Sequence, residues 1–246
     1  MVEENQTKPV QDSAYYFHGR LAIFQAENTL FRVPIDTLME QSQFFAGMFS
    51  LPTGEGPDGQ NTGREGDTDE NPIMLPLGVT ADEFRSLLIL LYPKDAGVEQ
   101  FPPIQINQWE SVLKLSTLWR FLSLRKVAVD YLGRKADPFV KIHLGRKHNV
   151  KTLVEQGLLA LVSRVDPISD EEALALVSDA EQPLTVRTAP ALSRIREKKL
   201  QENSKNRNYL LKLTPEQLAQ EVQREFDTEL AAIQKAEEEY YRAEKE

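Results

Sequence analysis

The sequence predicts an α+β fold, in which a small sheet is flanked by helical hairpins and followed by an all-helical C-terminal extension. Two β-prone runs, 21–26 and 29–33, stand on either side of the turn-tolerant pair Glu27-Asn28, a pattern typical of a β-hairpin. After Pro103 the apolar residues recur with the three- and four-residue spacing of helices. Beyond Pro138 only helical patterns follow. Together these observations predict the α+β class.

The composition supports a folded core and excludes several classes of protein. The chain has 246 residues, of which 41% are hydrophobic and 27% are charged. A chain of this size buries roughly 70–75% of the surface that its unfolded form exposes. The sequence contains no cysteine, which excludes a disulfide scaffold, thiol catalysis, iron–sulfur clusters and the common zinc modules. The net charge of −9 argues against a chain whose main role is to neutralise phosphates.

The apolar runs are shorter than the ~20 residues that a membrane-spanning helix needs. Residues 1–5 are acidic and polar, so we expect no signal peptide. We interpret residues 1–13 as a flexible N-terminus. These features predict a protein of the cytoplasm, the nucleus or both, with no membrane partner.

The hairpin is followed by a helix and then by an insertion. Pro34 ends the second strand because it cannot donate to a ladder. The apolar spacing from Leu38 to Phe49 predicts a helix of about three turns, with Asp36 as its cap. Residues 53–72 hold six acidic residues and one arginine in a glycine-rich stretch without an aliphatic side chain, which predicts a disordered surface insertion.

A short strand and a buried helix complete the first part of the chain. The strand is predicted at 73–75. Thr80 and Glu83 form a capping box, in which each side chain accepts a hydrogen bond from an otherwise unpaired backbone N–H. The apolar residues that follow cover nearly the whole helix surface, and Pro93 ends the helix.

The remaining apolar patterns predict helices throughout. Residues 109–131 predict a helical hairpin packed on the sheet, and Val150 to Leu161 form one apolar stripe. Ser169 and Glu172 form a second capping box. The last helix begins with Thr214 and has Pro215 at its first position. Glu229 interrupts a strict heptad, which favours a docked helix over a long coiled coil.

The search for reactive groups assigns no catalytic, cofactor-binding or metal-binding residue. His18, His143 and His148 lack the spacing of a helical zinc pair, and we interpret them as ordinary histidines. The glycines of 54–59 lack the Lys-Ser/Thr of a phosphate loop, and 67–78 lacks the glycine and glutamate of a calcium loop. An enzyme without a recognisable motif is a third hypothesis, behind two binding functions.

Charge is distributed unevenly along the chain. Residues 134–151 hold six basic residues and one acidic residue, 187–212 hold eight and two, and 214–246 hold four and ten. One interpretation is that these charges balance each other, with the acidic last helix close to a basic segment. The other is a basic docking patch at 187–212 for an acidic partner or nucleic acid. A protein partner is favoured because aromatic residues do not interleave with the basic ones.

Many short motifs, taken in order, carry a resemblance to one family. In chain order they include Phe17-His18-Gly19, Leu21-Ala22-Ile23-Phe24, Thr29-Leu30-Phe31-Arg32-Val33, Phe44-Phe45, Met48-Phe49-Ser50-Leu51-Pro52, Pro72-Ile73-Met74-Leu75, Leu87-Leu88, Leu91-Tyr92-Pro93, Val112-Leu113-Lys114-Leu115, Trp119 and Leu124-Arg125. This arrangement resembles a BTB/POZ domain of the fungal-type branch over about 14–135. Residues 136–200 then form a helical extension and 201–246 a charged C-terminal helix.

The resemblance implies a non-enzymatic module for protein–protein interaction. Domains of this family commonly self-associate, and they can act as adaptors that dock on cullin-type ubiquitin-ligase scaffolds or on transcriptional partners. Where many members carry Val-His-Arg, this chain has Val33-Pro34-Ile35, and the resemblance assigns no interface residue. The alternative is a transcription-linked regulator that binds nucleic acid or chromatin partners through 187–212.

Overall fold

The computed structural model describes residues 19–51, 64–93, 104–176, 187–205 and 214–242. These residues contain a three-stranded mixed sheet and eleven helices, so the predicted α+β class is confirmed. The chain packs as two compact units, Met1–Tyr92 and Pro93–Glu246. The elements of the first unit are β1 (Leu21–Ala26), β2 (Thr29–Pro34), α1 (Asp36–Gln41), α2 (Gln43–Ser50), β3 (Ile73–Met74) and α3 (Ala81–Leu91).

The predicted hairpin supplies two of the three strands, and its first strand, β1, is the central one. Strands β1 and β2 pair antiparallel, with Leu21 opposite Pro34 and Ala26 opposite Thr29. Strand β3 pairs parallel to the other edge of β1, which gives the order β2-β1-β3. Glu27 occupies the turn with a φ of 53°. The side chains of each strand therefore alternate between two faces of the sheet.

The single helix predicted after β2 is two helices. Ser42 lies between them in an extended conformation, and its hydroxyl accepts a hydrogen bond from the Phe45 N–H at 3.2 Å. Asp36 is therefore the first residue of α1 and not its cap, since Ile35 holds that position without a side-chain hydrogen bond. A buried serine that competes for a backbone N–H explains the interruption.

The described part of the 53–72 insertion is an ordered turn, in contrast to the predicted disorder. The Gly66 N–H donates to Asn71 O at 2.7 Å, and the Ile23 N–H of β1 donates to Gly66 O at 2.8 Å. Arg64 donates to the Phe49 carbonyl at 2.6 Å. Backbone hydrogen bonds therefore hold a segment that has no apolar side chains of its own. Residues 53–63 lie outside the described residues.

Helix α3 begins at the predicted capping box and is tied to the sheet at its other end. The Glu83 N–H donates to Thr80 Oγ1 at 3.2 Å, and the Thr80 N–H donates to Glu83 Oε2 at 3.0 Å. Just beyond the helix, the Tyr92 hydroxyl donates to the Pro34 carbonyl at 2.5 Å. Burial raises the pKa of Tyr92 to about 12. This bond fixes the end of β2.

The core of the first unit is a cluster of phenylalanines around Phe24. Its ring lies 6.0 Å from Phe45, 6.4 Å from Phe49 and 5.5 Å from Phe84. Phe31 of β2 contacts Phe84 edge to face at 5.1 Å. These contacts place Phe24 and Phe31 on the core face of the sheet.

In the described residues of the second unit every regular element is a helix, and the predicted helical hairpin at 109–131 is present. Its elements are α4 (Ile106–Leu118), α5 (Leu122–Lys135), α6 (Pro138–Lys147), α7 (Lys151–Ser163), α8 (Asp170–Ala175), α9 (Thr188–Lys205), α10 (Pro215–Glu225) and α11 (Asp227–Arg242). Helices α6 and α7 pack so closely at Gly157 that a Cβ on this residue would lie only 2.6 Å from the Pro138 carbonyl oxygen. The predicted domain boundary after residue 135 lies within this unit.

The second capping box is also confirmed, at the start of α8. The Glu172 N–H donates to Ser169 Oγ at 3.2 Å, and the Ser169 N–H donates to Glu172 Oε2 at 2.8 Å. The guanidinium of Arg164 pairs with the same carboxylate, and its hydrogen bond lowers the pKa of Glu172 to about 2.

The predicted C-terminal helix is likewise two helices, α10 and α11, which meet at Phe226. The apolar residues on both sides of the break, from Leu218 to Ile233, are buried in one core with side chains of α6, α7 and α9. Glu229 is buried in the same region and accepts from Arg146 Nε at 2.6 Å and from Arg146 Nη2 at 3.2 Å. Arg146 Nη2 also donates to Thr188 Oγ1 at 2.7 Å. The residue that interrupts the heptad is therefore half of a buried ion pair.

Among the described residues, no helix combines the length and the apolar character needed to cross a membrane.

Candidate protein-interaction surfaces

The sheet of the first unit has a second face, opposite the phenylalanine core. Strand pairing places Gln25 opposite Leu30 on β2 and opposite Met74 on β3. Because alternate residues share a face, Leu21 belongs to the same face of β1 as Gln25. Side chains directly opposite each other on neighbouring strands are in contact range. Leu21, Gln25, Leu30 and Met74 are called the outer sheet face below. Ile23, which lies between Leu21 and Gln25 on the same side of β1, is only 3% exposed.

Large apolar side chains are exposed on the outer sheet face. The exposed fraction is 40% for Leu21, 45% for Leu30 and 59% for Met74. Strand β2 has a neighbour on one side only in the described sheet. The face therefore presents apolar side chains next to a strand edge, and both features are typical of surfaces that associate with other polypeptides.

A second surface is built around Arg125 on α5, in the second unit. Arg125 is 1% exposed, and every nitrogen of its guanidinium donates a hydrogen bond. Nε donates to Thr117 Oγ1 at 3.3 Å, and Nη2 donates to the carbonyls of His148 at 3.0 Å and Asn149 at 3.4 Å. Burial of a guanidinium requires such partners, so Arg125 is fixed by the turns around it.

Helix α11 supplies the remaining partners of Arg125. Nη1 of Arg125 donates to the Tyr241 hydroxyl at 2.5 Å and lies 3.5 Å from Glu237 Oε1. The Arg125 guanidinium also lies over the Tyr240 ring, 4.8 Å from its centre. Such cation–π contacts are stabilising when the cation is desolvated. The last turns of α11 thus contact Arg125 through one carboxylate and two aromatic rings.

Two tight turns at this surface adopt a left-handed backbone conformation. Arg120, between α4 and α5, has a φ of 56°, and Asn149, between α6 and α7, has a φ of 51°. Arg120 donates to the Tyr240 carbonyl at 3.0 Å and covers the Tyr240 ring at 4.9 Å. The left-handed conformation disfavours a side chain such as arginine, and the contacts with Tyr240 offset this disadvantage.

His148 lies beside the same cluster and has an unusual acidity. Burial lowers the pKa of His148 from 6.5 to about 4, and the charges of Lys147, Arg125, His143 and Lys114 add to the effect. The imidazole is therefore neutral at pH 7 in the folded protein.

This pKa predicts a loss of stability in acid. The unfolded chain takes up a proton at His148 below pH 6.5, whereas the folded chain does so only near pH 4. We expect the free energy of unfolding to fall as the pH decreases from 6.5 to 4, by up to about 3 kcal/mol from this group. Urea unfolding across this range, compared between the parent chain and His148→Asn, measures the contribution. The control is His143→Gln, at an exposed histidine, and it should keep most of the decrease in the free energy of unfolding between pH 6.5 and 4. The prediction would be contradicted if His148→Asn showed the same decrease as the parent chain.

Two of the three histidines lie in the described residues, and they differ in exposure. His143 is exposed and His148 is half-buried, while His18 lies outside the described residues. In the ranges that the structure describes, no group of three or more His, Cys, Asp or Glu side chains could hold a metal ion. The predictions made from residues 54–59 also fall outside those ranges.

Ion pairs connect the basic and acidic segments that the sequence singled out. Arg146 pairs with Glu229, Arg194 with Glu225, and Lys198 with Glu221. Arg196 and Lys199 instead donate to backbone carbonyls at and beyond the end of α7, including that of Leu161 at 2.8 Å from Arg196. The interpretation that the segments balance each other therefore agrees with the described contacts.

The sequence analysis did not assign Arg125, Glu229, Tyr240 or Tyr241 to any site. For two of these residues the sequence contains a pattern that predicts burial, namely a charged residue on an apolar helical stripe. Such a residue is buried and therefore needs a partner. Glu229 lies on the stripe that runs from Leu218 to Ile233, and Arg125 is three residues from the buried Ala128. Arg146, the partner of Glu229, lies 83 positions away, and the α11 partners of Arg125 lie 112 and 116 positions away, so no local pattern identifies these pairs.

Comparison with known proteins does not assign the chain to a family. No protein-family model matches the chain, and no curated protein matches it.

Proposed function

We propose that the chain is a non-enzymatic protein-interaction module that self-associates through the outer sheet face. The observation that carries this proposal is the exposure of Leu21, Leu30 and Met74 on one face of the sheet. Exposed apolar side chains on a sheet face are typical of association sites, and association removes such surface from water. The resemblance to BTB/POZ domains also supports self-association, because it is common in that family.

The same resemblance supports an adaptor role on a cullin-type scaffold, and the exposed apolar side chains of the outer sheet face support that face as the docking surface. A partner protein and a second copy of the chain would each cover the apolar side chains. The two are therefore distinguished by the experiment below.

Binding of nucleic acid through 187–212 has less support. Arg194 and Lys198 form ion pairs, while Arg196 and Lys199 are hydrogen-bonded to carbonyls. A cation that is already paired contributes little to neutralising phosphates. We therefore do not propose this second function.

Light scattering after size-exclusion chromatography tests self-association across a range of protein concentrations. We expect the parent chain to form a dimer. Leu30→Glu and Met74→Glu should each weaken the dimer by about tenfold or more, because a carboxylate would be buried without a partner. Leu174→Glu, at a residue of α8 that is 70% exposed, is the matched control and should leave the dimer unchanged.

Affinity capture with the same variants tests the adaptor role. Recovery of a cullin-type scaffold by the parent chain and by Leu174→Glu, but not by Leu30→Glu, would assign the face to that partner. A parent chain that is monomeric at all concentrations and captures no partner through this face would refute the proposal.

A further inference from the structure

The last turns of α11, residues 235–242, are attached differently from the rest of the helix. Leu230 and Ile233 are buried in the core of the second unit. After Ile233, no side chain of α11 in the described residues is buried. Segments held without buried apolar contacts open at a lower free energy than the core does. Residues 235–242 are called the tail below, and none of their side chains belongs to that core.

The tail is held by cations, by one helix end and by the Thr117 carbonyl of α4, which accepts from the Tyr240 hydroxyl at 3.1 Å. Glu237 accepts from the Lys151 N–H at the start of α7, at 3.2 Å, and lies 3.5 Å from Arg125 Nη1. Lys126 Nζ lies 5.8 Å from the centre of the Tyr241 ring. We call Arg120, Arg125, Lys126 and the α7 N-terminus the cationic cradle. The Glu237 carboxylate is therefore stabilised both by the helix dipole and by the charge of the guanidinium.

Much of the cradle is organised by contacts that do not involve the tail. Arg125 is also held by Thr117 and by the carbonyls of His148 and Asn149. Asn149 has a left-handed backbone, and such a conformation persists only where the surrounding structure determines it. Val150, which caps α7, makes no side-chain cap hydrogen bond. This leaves an N–H at the start of the helix for a carboxylate from elsewhere.

We propose that the cationic cradle is a docking surface for an acidic, tyrosine-bearing helix of a partner protein, and that the tail occupies it as an internal ligand. The tail itself shows the chemistry that the cradle accepts, because Glu237, Tyr240 and Tyr241 fill it with a carboxylate, a ring and a phenol. This surface belongs to the second unit, so the inference is independent of the outer sheet face.

A tethered ligand competes strongly with a free one. Short tethers give effective concentrations on the order of millimolar. A partner binds only to the fraction of molecules whose tail has left, which raises its apparent Kd by the inverse of that fraction. Weakening the tail's own contacts should therefore increase the affinity for a free acidic helix.

Fluorescence anisotropy with a labelled peptide of residues 233–246 tests this inference in the chain of 246 residues. The double variant Glu237→Ala/Tyr241→Ala should bind the peptide at least about tenfold more tightly than the parent chain. The matched control is Lys235→Ala/Glu239→Ala, which removes an exposed pair on the same helix and should bind the peptide as the parent chain does. Circular dichroism confirms that each variant is folded.

Two further measurements identify the chemistry of the interaction. A peptide with Gln at the position of Glu237 and Ala at that of Tyr241 should bind the double variant no more tightly than it binds the parent chain. Adding Arg125→Lys to the double variant should also abolish its increased affinity for the labelled peptide, because lysine keeps the charge but lacks the guanidinium fork. Equal peptide binding by the folded double variant and the parent chain would overturn the inference. Competition by single-stranded DNA as effective as by unlabelled peptide would also overturn it, since charge alone would then explain binding.

Discussion

Replacing Glu229 with alanine is expected to lower the free energy of unfolding of the second unit by about 3–5 kcal/mol. The substitution leaves the guanidinium of Arg146, which is 4% exposed, without its counter-charge. Thr188 Oγ1 remains as a neutral acceptor, which cannot compensate a buried cation. Chemical denaturation followed by circular dichroism measures the loss.

The paired replacement separates the value of the ion pair from the penalty of breaking it. Arg146→Met/Glu229→Leu should be far less destabilising than Glu229→Ala, because well-packed apolar side chains can replace a buried pair at little cost. Arg134→Ala is the control for an ion pair in solvent, since Arg134 and Asp130 are each 67% exposed. It should change the stability by less than about 1 kcal/mol. If Arg134→Ala and Glu229→Ala lowered the free energy of unfolding equally, Arg146 and Glu229 would not form a buried ion pair.

Replacing Phe24 with alanine is expected to destabilise the first unit by about 3–5 kcal/mol. Its ring is fully buried and contacts Phe45, Phe49 and Phe84, so the cavity left behind has rigid aromatic walls. Phe24 and Gln25 are adjacent on β1, with side chains on opposite faces. Loss of the core face should therefore also abolish self-association through the outer sheet face.

Thermal unfolding and light scattering of the same samples measure both effects of Phe24→Ala. Leu51→Ala is the control within the same unit, because Leu51 is 67% exposed and should change stability by no more than about 0.5 kcal/mol. A Phe24→Ala protein that keeps the parent stability would show that the phenylalanine cluster is not the core of the unit.

The elements that the sequence predicted correctly are those whose signals are local. Two turn residues between β-prone runs, or Thr80 three positions before Glu83, specify hydrogen bonds within a few residues. Both capping boxes and the hairpin are present as predicted. The predicted lengths of the helices were less accurate, because Ser42 and Phe226 interrupt helices whose apolar spacing continues across the break.

The predictions that failed or were missing depend on distant partners. Residues 64–72 were expected to be disordered from their composition, yet their backbone pairs with β1 through Gly66, which composition does not encode. The two faces of the sheet could not be assigned from β2 alone, since Leu30 and Phe31 are neighbours and both are apolar. The strand register and the contacts of Phe31 with Phe84 assign them.

The pairing of Arg146 with Glu229 also constrains when the second unit can finish folding. The two residues are 83 positions apart, and a chain grows from its N-terminus at roughly 5–20 residues per second. A nascent chain that has emerged only as far as α9 carries the Arg146 guanidinium with no carboxylate to receive it. We therefore expect ribosome-bound chains to leave the α6–α7 region incompletely packed, and accessible to chaperones, until the codon for Glu229 has been translated and its product has left the exit tunnel.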